Sequence, residues 1–387
     1  MDRSWQRQQF EFRPRVAVPI RQRRRPLRVL FVGDPRSTAH PGGGEVQLRK
    51  TAEYLTRLGV DVSIVESLQG DLPECDWVHL FGTVPEFLLV AQAAKHAGAR
   101  VALSTISWYD PWVNWKLEPS VWRRVRGVAG WAVRRALPNV PSWRRELMHV
   151  CDVLLPNSRA EAAQLEQLFG VDRSRIDIVP NGVDERFGHA DPTLFEEQFQ
   201  LHNFVLLPGR VEPRKNQLTV IRALWGSGVP VVVLGDAHPD HGAYMDACRS
   251  EADSGVTFVP RLDHDSALLA SAYAAARVVV LASWFETPGL AALEGALAGA
   301  RIVVTDRGSA REYFGERARY VQPDDALAIR QAVREEFLRP TPSESPEAIR
   351  QQFLWDRVAE QTFAAYRRLD GTDADDLGDA PPRAIAA

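Results

Sequence analysis

The sequence is poor in the features that would mark a stapled, spanning or metal-built protein. It has three cysteines, Cys75, Cys151 and Cys248, far apart and without zinc spacing, so they read as reduced structural thiols. No apolar run approaches the roughly 20 residues of a spanning helix. The Arg-rich residues 1–26 lead into a short strand pattern and not into a signal-peptide core, which makes the cytoplasm the expected compartment. Net charge is only -3, and no basic stripe with interleaved aromatics recurs through the body, so no nucleic-acid partner is expected. The nine histidines form no metal constellation; His238-Pro239-Asp240-His241 and Asp263-His264-Asp265 read as solvated loops. There is no Gly-x-Ser-x-Gly elbow, Gly-x-Gly-x-x-Gly fingerprint or P-loop, which weakens hydrolase, dehydrogenase and NTPase readings.

What is present is a two-part α/β grammar. A chain of 387 residues exceeds one ordinary core, and its 45% hydrophobic and 25% charged fractions are those of a globular protein. Short β-type runs at 28–32, 60–65, 77–81, 101–104, 153–155 and 176–179 alternate with helical patterns such as 45–58, 85–97 and 160–169. The pattern restarts at 204–207 and continues through 229–234, 256–259, 277–281 and 302–305. The fold class is therefore α/β, with two doubly wound Rossmann-like domains facing a cleft. The expected division is an extension at 1–26, a first domain at 27–190 and a second at 191–345, with 184–203 as linker. A helix at 346–369, after a Pro/Ser-rich hinge, should pack back on the first domain, and 370–387 reads as a disordered tail.

The most informative window runs from Phe285 through Glu286-Thr287-Pro288-Gly289-Leu290 to Glu294 and Gly299. Thr287 is the expected N-cap and Pro288 the first helical position. Leu290, Leu293 and Leu297 share a face, with Glu294 at its edge, where a carboxylate needs partners. A free helix start suits phosphate, and inward carboxylates suit hydroxyls. Alternatively, Glu294 pairs with a nearby arginine. After the first strand of the second half, Gly209-Arg210 to Lys215-Asn216 places two cations at a strand end, where they could stabilise a departing diphosphate. Gly42-Gly43-Gly44 follows the first strand and reads equally as a tight turn or as a loop letting backbone approach a ligand. Pro180-Asn181-Gly182-Val183-Asp184 reads as a turn.

These stretches, with Leu155-Pro156-Asn157-Ser158, occur in an order that resembles the retaining, nucleotide-sugar-dependent glycosyltransferases of the GT-B fold, family 4 or group 1. The resemblance covers roughly residues 27–368. It implies that Arg210 and Lys215 hold the donor diphosphate, that Glu286 contacts the donor sugar and that Glu294 contacts the ribose. It assigns phosphate oxygens to the backbone around Thr287, Pro288, Gly289 and Leu290, with Gly43 and Gly44 closing from the other wall. It further implies hexosyl transfer to a hydroxyl acceptor with retention, in polysaccharide or glycolipid synthesis, with no cofactor and no metal. A nucleotide-sugar epimerase of the same fold and a non-catalytic sugar-nucleotide-binding relative are the rival readings.

One departure concerns the acceptor side. Relatives carry a histidine after the fourth strand, where this chain reads Leu103-Ser104-Thr105-Ile106-Ser107-Trp108-Tyr109-Asp110. Ser107, Trp108 and Asp110 are the candidates for that neighbourhood. The stretch 108–145 is dense in Trp and Arg, which fits either an amphipathic helix packed on the domain core or a peripheral contact with a membrane bearing a lipid-linked acceptor, at the inner face.

Overall fold

The computed structural model describes residues 25–34, 42–65, 72–340, 343 and 345–370. Most of the expected N-terminal extension and C-terminal tail lies outside them, as does part of the hinge near 340–346.

The first sheet contains β1 (Arg28–Gly33), β2 (Asp61–Val65), β3 (Trp77–Phe81), β4 (Arg100–Ser104) and β5 (Val153–Leu154). All are parallel, in the order β2-β1-β3-β4-β5. The second contains β6 (Phe204–Pro208), β7 (Val231–Leu234), β8 (Val256–Val259), β9 (Ala276–Leu281), β10 (Arg301–Thr305) and β11 (Ala318–Val321). Its order is β11-β10-β9-β6-β7-β8, again parallel. Strands β3, β6 and β10 are buried along their whole length, as expected when helices cover both faces of a parallel sheet. Each fully buried Val or Leu contributes about 1.5–3 kcal/mol.

This order fixes where a ligand can sit. In the second sheet the chain steps outward from β6 to β7 and β8, then restarts at β9 on the other side. The reversal leaves a crevice beyond the carboxyl ends of β6 and β9, the usual binding position of open α/β sheets. In the first sheet the corresponding reversal lies between β1 and β3.

Several expected boundaries move. Residues 176–179 are not a strand, because Ile176 makes only an isolated bridge to Leu154 beside the two-residue β5. The expected linker is structured: a helix spans Thr193–Phe199, and Phe187 and Phe195 are buried in the second core. The second domain therefore begins near Asp184 rather than at 191. The C-terminal helix is broken in two at Leu354. Ser345–Phe353 buries Ile349 and Phe353 in the second domain, whereas Trp355–Asp370 buries Trp355, Val358 and Tyr366 in the first. Asp370 lies inside that helix, not in a tail, and pairs with Arg100 at 3.2 Å.

Chain crossings between the domains meet at one point. Val183 N donates to Phe353 O at 2.7 Å, and Trp355 N donates to Val183 O at 3.3 Å. A Cβ at Gly182 would lie 2.5 Å from Trp355 Cδ2, so the Pro180–Asp184 turn needs its glycine to admit the indole.

Candidate active site at the interdomain cleft

Two helix starts face each other across the cleft. Helix Gly43–Arg57 has Gly42 as N-cap and helix Leu290–Leu297 has Gly289; neither cap makes a side-chain hydrogen bond. A Cβ placed on Gly43 would be 3.3 Å from Leu290 Cδ1, and one on Gly42 would be 3.6 Å from Arg210 Nη2. The glycine loop of the first domain is thus brought against Leu290 and Arg210 of the second. Helix starts present unsatisfied N–H groups and the positive dipole end, so this meeting point suits an anion. By contrast, the start of helix Arg159–Phe169 already holds a carboxylate: Glu312 accepts from Arg159 N and Ala160 N at 2.8 and 2.7 Å.

The second helix does not start as its sequence implies. Thr287 is not its N-cap and Pro288 is not its first residue; both stay in the loop, and Gly289 caps with φ +88°. The reason lies in tertiary contact. Glu286 N donates to Arg307 O at 3.1 Å and Ser309 N donates to Glu286 O at 2.9 Å. This ties the loop to the chain after β10. A Cβ at Gly308 would lie 1.9 Å from Glu286 O, so only glycine permits the contact.

At the switch point, the loop after β6 brings Lys215 and the loop after β9 brings Glu286. Lys215 Nζ donates to Glu286 Oε1 at 2.7 Å, and Ser283 Oγ donates to the same oxygen at 2.6 Å. Burial opposes both charges. For Glu286 the attraction of Lys215 and Arg214 outweighs it and holds the carboxyl below its usual range. For Lys215 burial prevails and pulls the ammonium below its ordinary value.

Glu294 is inward and buried, and its partner is not an arginine. His264 Nε2 lies 2.9 Å from Glu294 Oε1, and Tyr273 shares the carboxylate. His264 is therefore no solvated loop residue. Burial lowers its affinity for a proton, but the hydrogen bond and charge of Glu294 more than reverse this, and its pKa is raised. Around it, Arg186 donates to His264 O, and Lys50 of the first domain reaches Asp184 at 3.0 Å and Asp265 at 3.4 Å. Domain contact and the Glu294 carboxylate therefore belong to one network.

The acceptor-side candidates divide. Ser107 is turned inward, its N–H donating to Glu161 Oε1 at 2.7 Å. Asp110 caps helix Pro111–Leu117 and accepts from Arg307 Nη1 at 3.1 Å across the cleft. Arg307 also lies 3.7 Å over the Trp112 ring, which packs on Trp284. Trp108 and Asp110 line a cavity of about 200 Å³ with Val113, Asn114, Leu117 and Phe285. The indole N–H of Trp108 is buried without a hydrogen-bond partner. His79 does not supply the missing histidine. It is buried on β3, with Nδ1 2.6 Å from Tyr366 Oη and Nε2 2.9 Å from Ser104 Oγ, and burial lowers its pKa to about 3.

Sequence reasoning missed Glu161, a fully buried carboxyl that accepts from Thr105 Oγ1, Ser107 N and Asn157 N. The signal was available: Ser158-x-x-Glu161 has capping-box spacing, and Ser158 does cap the helix, with Glu161 N donating to Ser158 Oγ at 3.0 Å. Glu161 sets the turn after β4, where Ile106 adopts φ +43°, unusual for a β-branched residue, with its side chain against Gly44.

Two family profiles match this chain: Glycosyl transferases group 1 over residues 202–336 and Glycosyltransferase Family 4 over residues 74–187. The chain belongs to the group 1/family 4 glycosyltransferases. Both profile matches fall on the sheets that build the cleft. A D-inositol 3-phosphate glycosyltransferase of Kineococcus radiotolerans is 30% identical over 275 residues, 62% of each chain. One from Mycolicibacterium smegmatis is 31% identical over 169 residues, 41% of this chain and 38% of its own length. The matched stretches thus span less than two thirds of these relatives. Sucrose-phosphate synthase from Thermosynechococcus elongatus superposes with a TM-score of 0.69 at 17% identity, over 89% of this chain and 99% of its own. HepE from Anabaena, in complex with UDP-glucose, gives 0.65 at 17% identity, over 89% and 100%. The fold of this chain is GT-B.

Proposed function

We propose that this protein transfers a sugar from a nucleoside diphosphate to a hydroxyl acceptor, with retention at the anomeric carbon. The observation that carries the reading is the meeting of two uncapped, glycine-started helices beside Arg210, with Lys215 and Glu286 at the switch point below. A diphosphate seated there receives backbone N–H groups from both domains and the Arg210 fork. An ammonium has three donors, so Lys215 can hold Glu286 and still serve the leaving group. Glu286 receives sugar hydroxyls, and Glu294, aimed by His264 and Tyr273, receives the ribose. The acceptor enters from the Trp108 cavity. Its oxygen bonds to the anomeric carbon as the bond to the diphosphate breaks, and its proton passes to the departing phosphate oxygen. Because fixed cations stabilise that charge without reorganising, no metal is called for. HepE's complex makes UDP-glucose the first donor to try.

The test incubates the protein with nucleotide sugars and a mixed pool of hydroxyl acceptors in excess chelator, and follows product and anomeric configuration by NMR. Transfer with retention under chelator is the expected result. Inversion overturns the stereochemical reading, restoration only by Mn²⁺ or Mg²⁺ overturns the metal-free one, and donor turnover without glycoside overturns transfer itself.

A further inference from the structure

The helix Val121–Ala136 leaves an apolar face exposed. It has no buried residue. Its inner side is mixed, with Arg124, Gly127, Val128, Trp131 and Arg134 half-buried: Gly127 faces Asn114 so closely that a Cβ would lie 2.0 Å from Asn114 Nδ2, and Trp131 leans on the first-domain core. The apolar side looks outward. Val121 is 66% exposed, Trp122 81%, Val125 44%, Val133 47% and the following Leu137 60%. At 100° per residue Val121, Trp122, Val125 and Val133 fall on one side, filled between by alanines. Arg123, Arg126 and Arg135 are exposed beside this face, and the helix contains no Asp or Glu.

The alternative expected from sequence, with the tryptophans packed on the core, therefore holds for Trp131 and fails for Trp122. A solvent-facing tryptophan among valines is costly unless something covers it. Charge decides what does: a helix with several arginines and no Asp or Glu is complementary to an anionic surface, and an indole seats at the boundary of headgroups and acyl chains. We infer that Val121–Leu137 is a docking face for an anionic lipid surface. It stands independently of the glycosyl-transfer reading but has a geometric consequence for it. The helix packs through Gly127 on helix Pro111–Leu117, whose Val113, Asn114 and Leu117 line the cleft cavity. A lipid surface bound there lies one helix away from where the acceptor enters, as a membrane-anchored acceptor requires.

The test uses the full chain with vesicles of phosphatidylcholine, alone or mixed with phosphatidylglycerol. Co-sedimentation is expected only with the anionic lipid and should weaken with salt. Replacing Arg123, Arg126 and Arg135 with Gln should lower the partition constant at low salt by about a hundredfold. Replacing Trp122, Val125 and Val133 with Ser should lower it at every salt concentration, because the apolar contribution is unscreened, and should abolish quenching of tryptophan fluorescence by brominated lipid. These side chains face outward, so unfolding temperature and nucleotide binding should not change. A failure here leaves the proposed transfer untouched. Three results overturn the inference: wild type staying in the supernatant with anionic vesicles, both variants sedimenting like wild type, or light scattering showing a lipid-free dimer that the Ser variant dissolves.

Discussion

The two walls of the cleft are built on similar parallel sheets but present different chemistry. The wall beyond β6 and β9 holds its carboxylates in paired contacts: Lys215 against Glu286 at 2.7 Å and His264 against Glu294 at 2.9 Å. The wall beyond β1 and β4 offers glycine backbone, a buried carboxyl that holds the turn after β4, and a cavity lined in part by Trp108. Fixed charges suit a partner that is always the same, a diphosphate with its ribose. An apolar, aromatic wall with few polar anchors suits the partner that varies between related enzymes. The same difference decides which wall tolerates substitution, because removing half of a buried ion pair costs far more than reshaping a cavity.

The sharpest way to break this comparison is at Lys215. Its loss should cost on the order of 3 kcal/mol in the barrier, a hundredfold or more in turnover. Truncation also strands Glu286, and leaving a buried charge alone costs about 3–5 kcal/mol of stability. Lys215→Met alone should therefore lose both stability and turnover. Lys215→Met with Glu286→Gln should regain most of the stability and none of the turnover. Denaturant unfolding beside a transfer assay separates the two, and full activity in the stable double variant would remove the pair from the mechanism.

A smaller effect sharpens the division between the walls. Glu294→Gln should weaken free UDP by about tenfold, the scale of one charged hydrogen bond, since ribose is common to product and donor. Glu286→Gln should leave free UDP nearly intact and depress transfer. Trp108→Ala, on the other wall, should raise the acceptor KM with UDP affinity unchanged. Calorimetry with UDP on all three variants decides the matter: equal losses in all of them would mean that the cleft is not divided in this way.

How much of this was legible in the sequence follows from the range of the contacts involved. Strand β3 coincides with the apolar run that announces it, because a parallel strand buried on both faces is written in its own residues. Lys215 and Glu286 were legible as chemistry because each sits just past a strand end. Their pairing was not, since it depends on β6 and β9 being neighbours across 71 residues of sequence. The helix start slipped from Thr287–Pro288 to Leu290 because Gly308, in a different loop, takes hold of Glu286. Phe187 and Phe195 were hidden in a stretch whose polar average resembles a linker. His264 looked solvated between two aspartates, and only the fold places it over Glu294, 30 residues on.

The least conspicuous expected effect lies in that histidine, and it separates the two charge pairs by pH. Glu286 has a depressed pKa in the folded protein, so its contribution to stability is present above its unfolded value and lost as pH falls through the folded one. His264 has a raised pKa, which reverses the sign: its contribution is complete below the unfolded value of about 6.5 and drains away as pH rises through the folded value. The pair also orients Glu294, so UDP affinity should decline over that same interval while the Lys215–Glu286 pair stays intact. His264→Gln keeps a donor for Glu294 but cannot titrate. Its unfolding temperature and UDP affinity should therefore be flat across the window in which wild type declines. An identical decline in the variant would assign the titration to another group and leave His264 as a packing residue beside Phe187 and Tyr273.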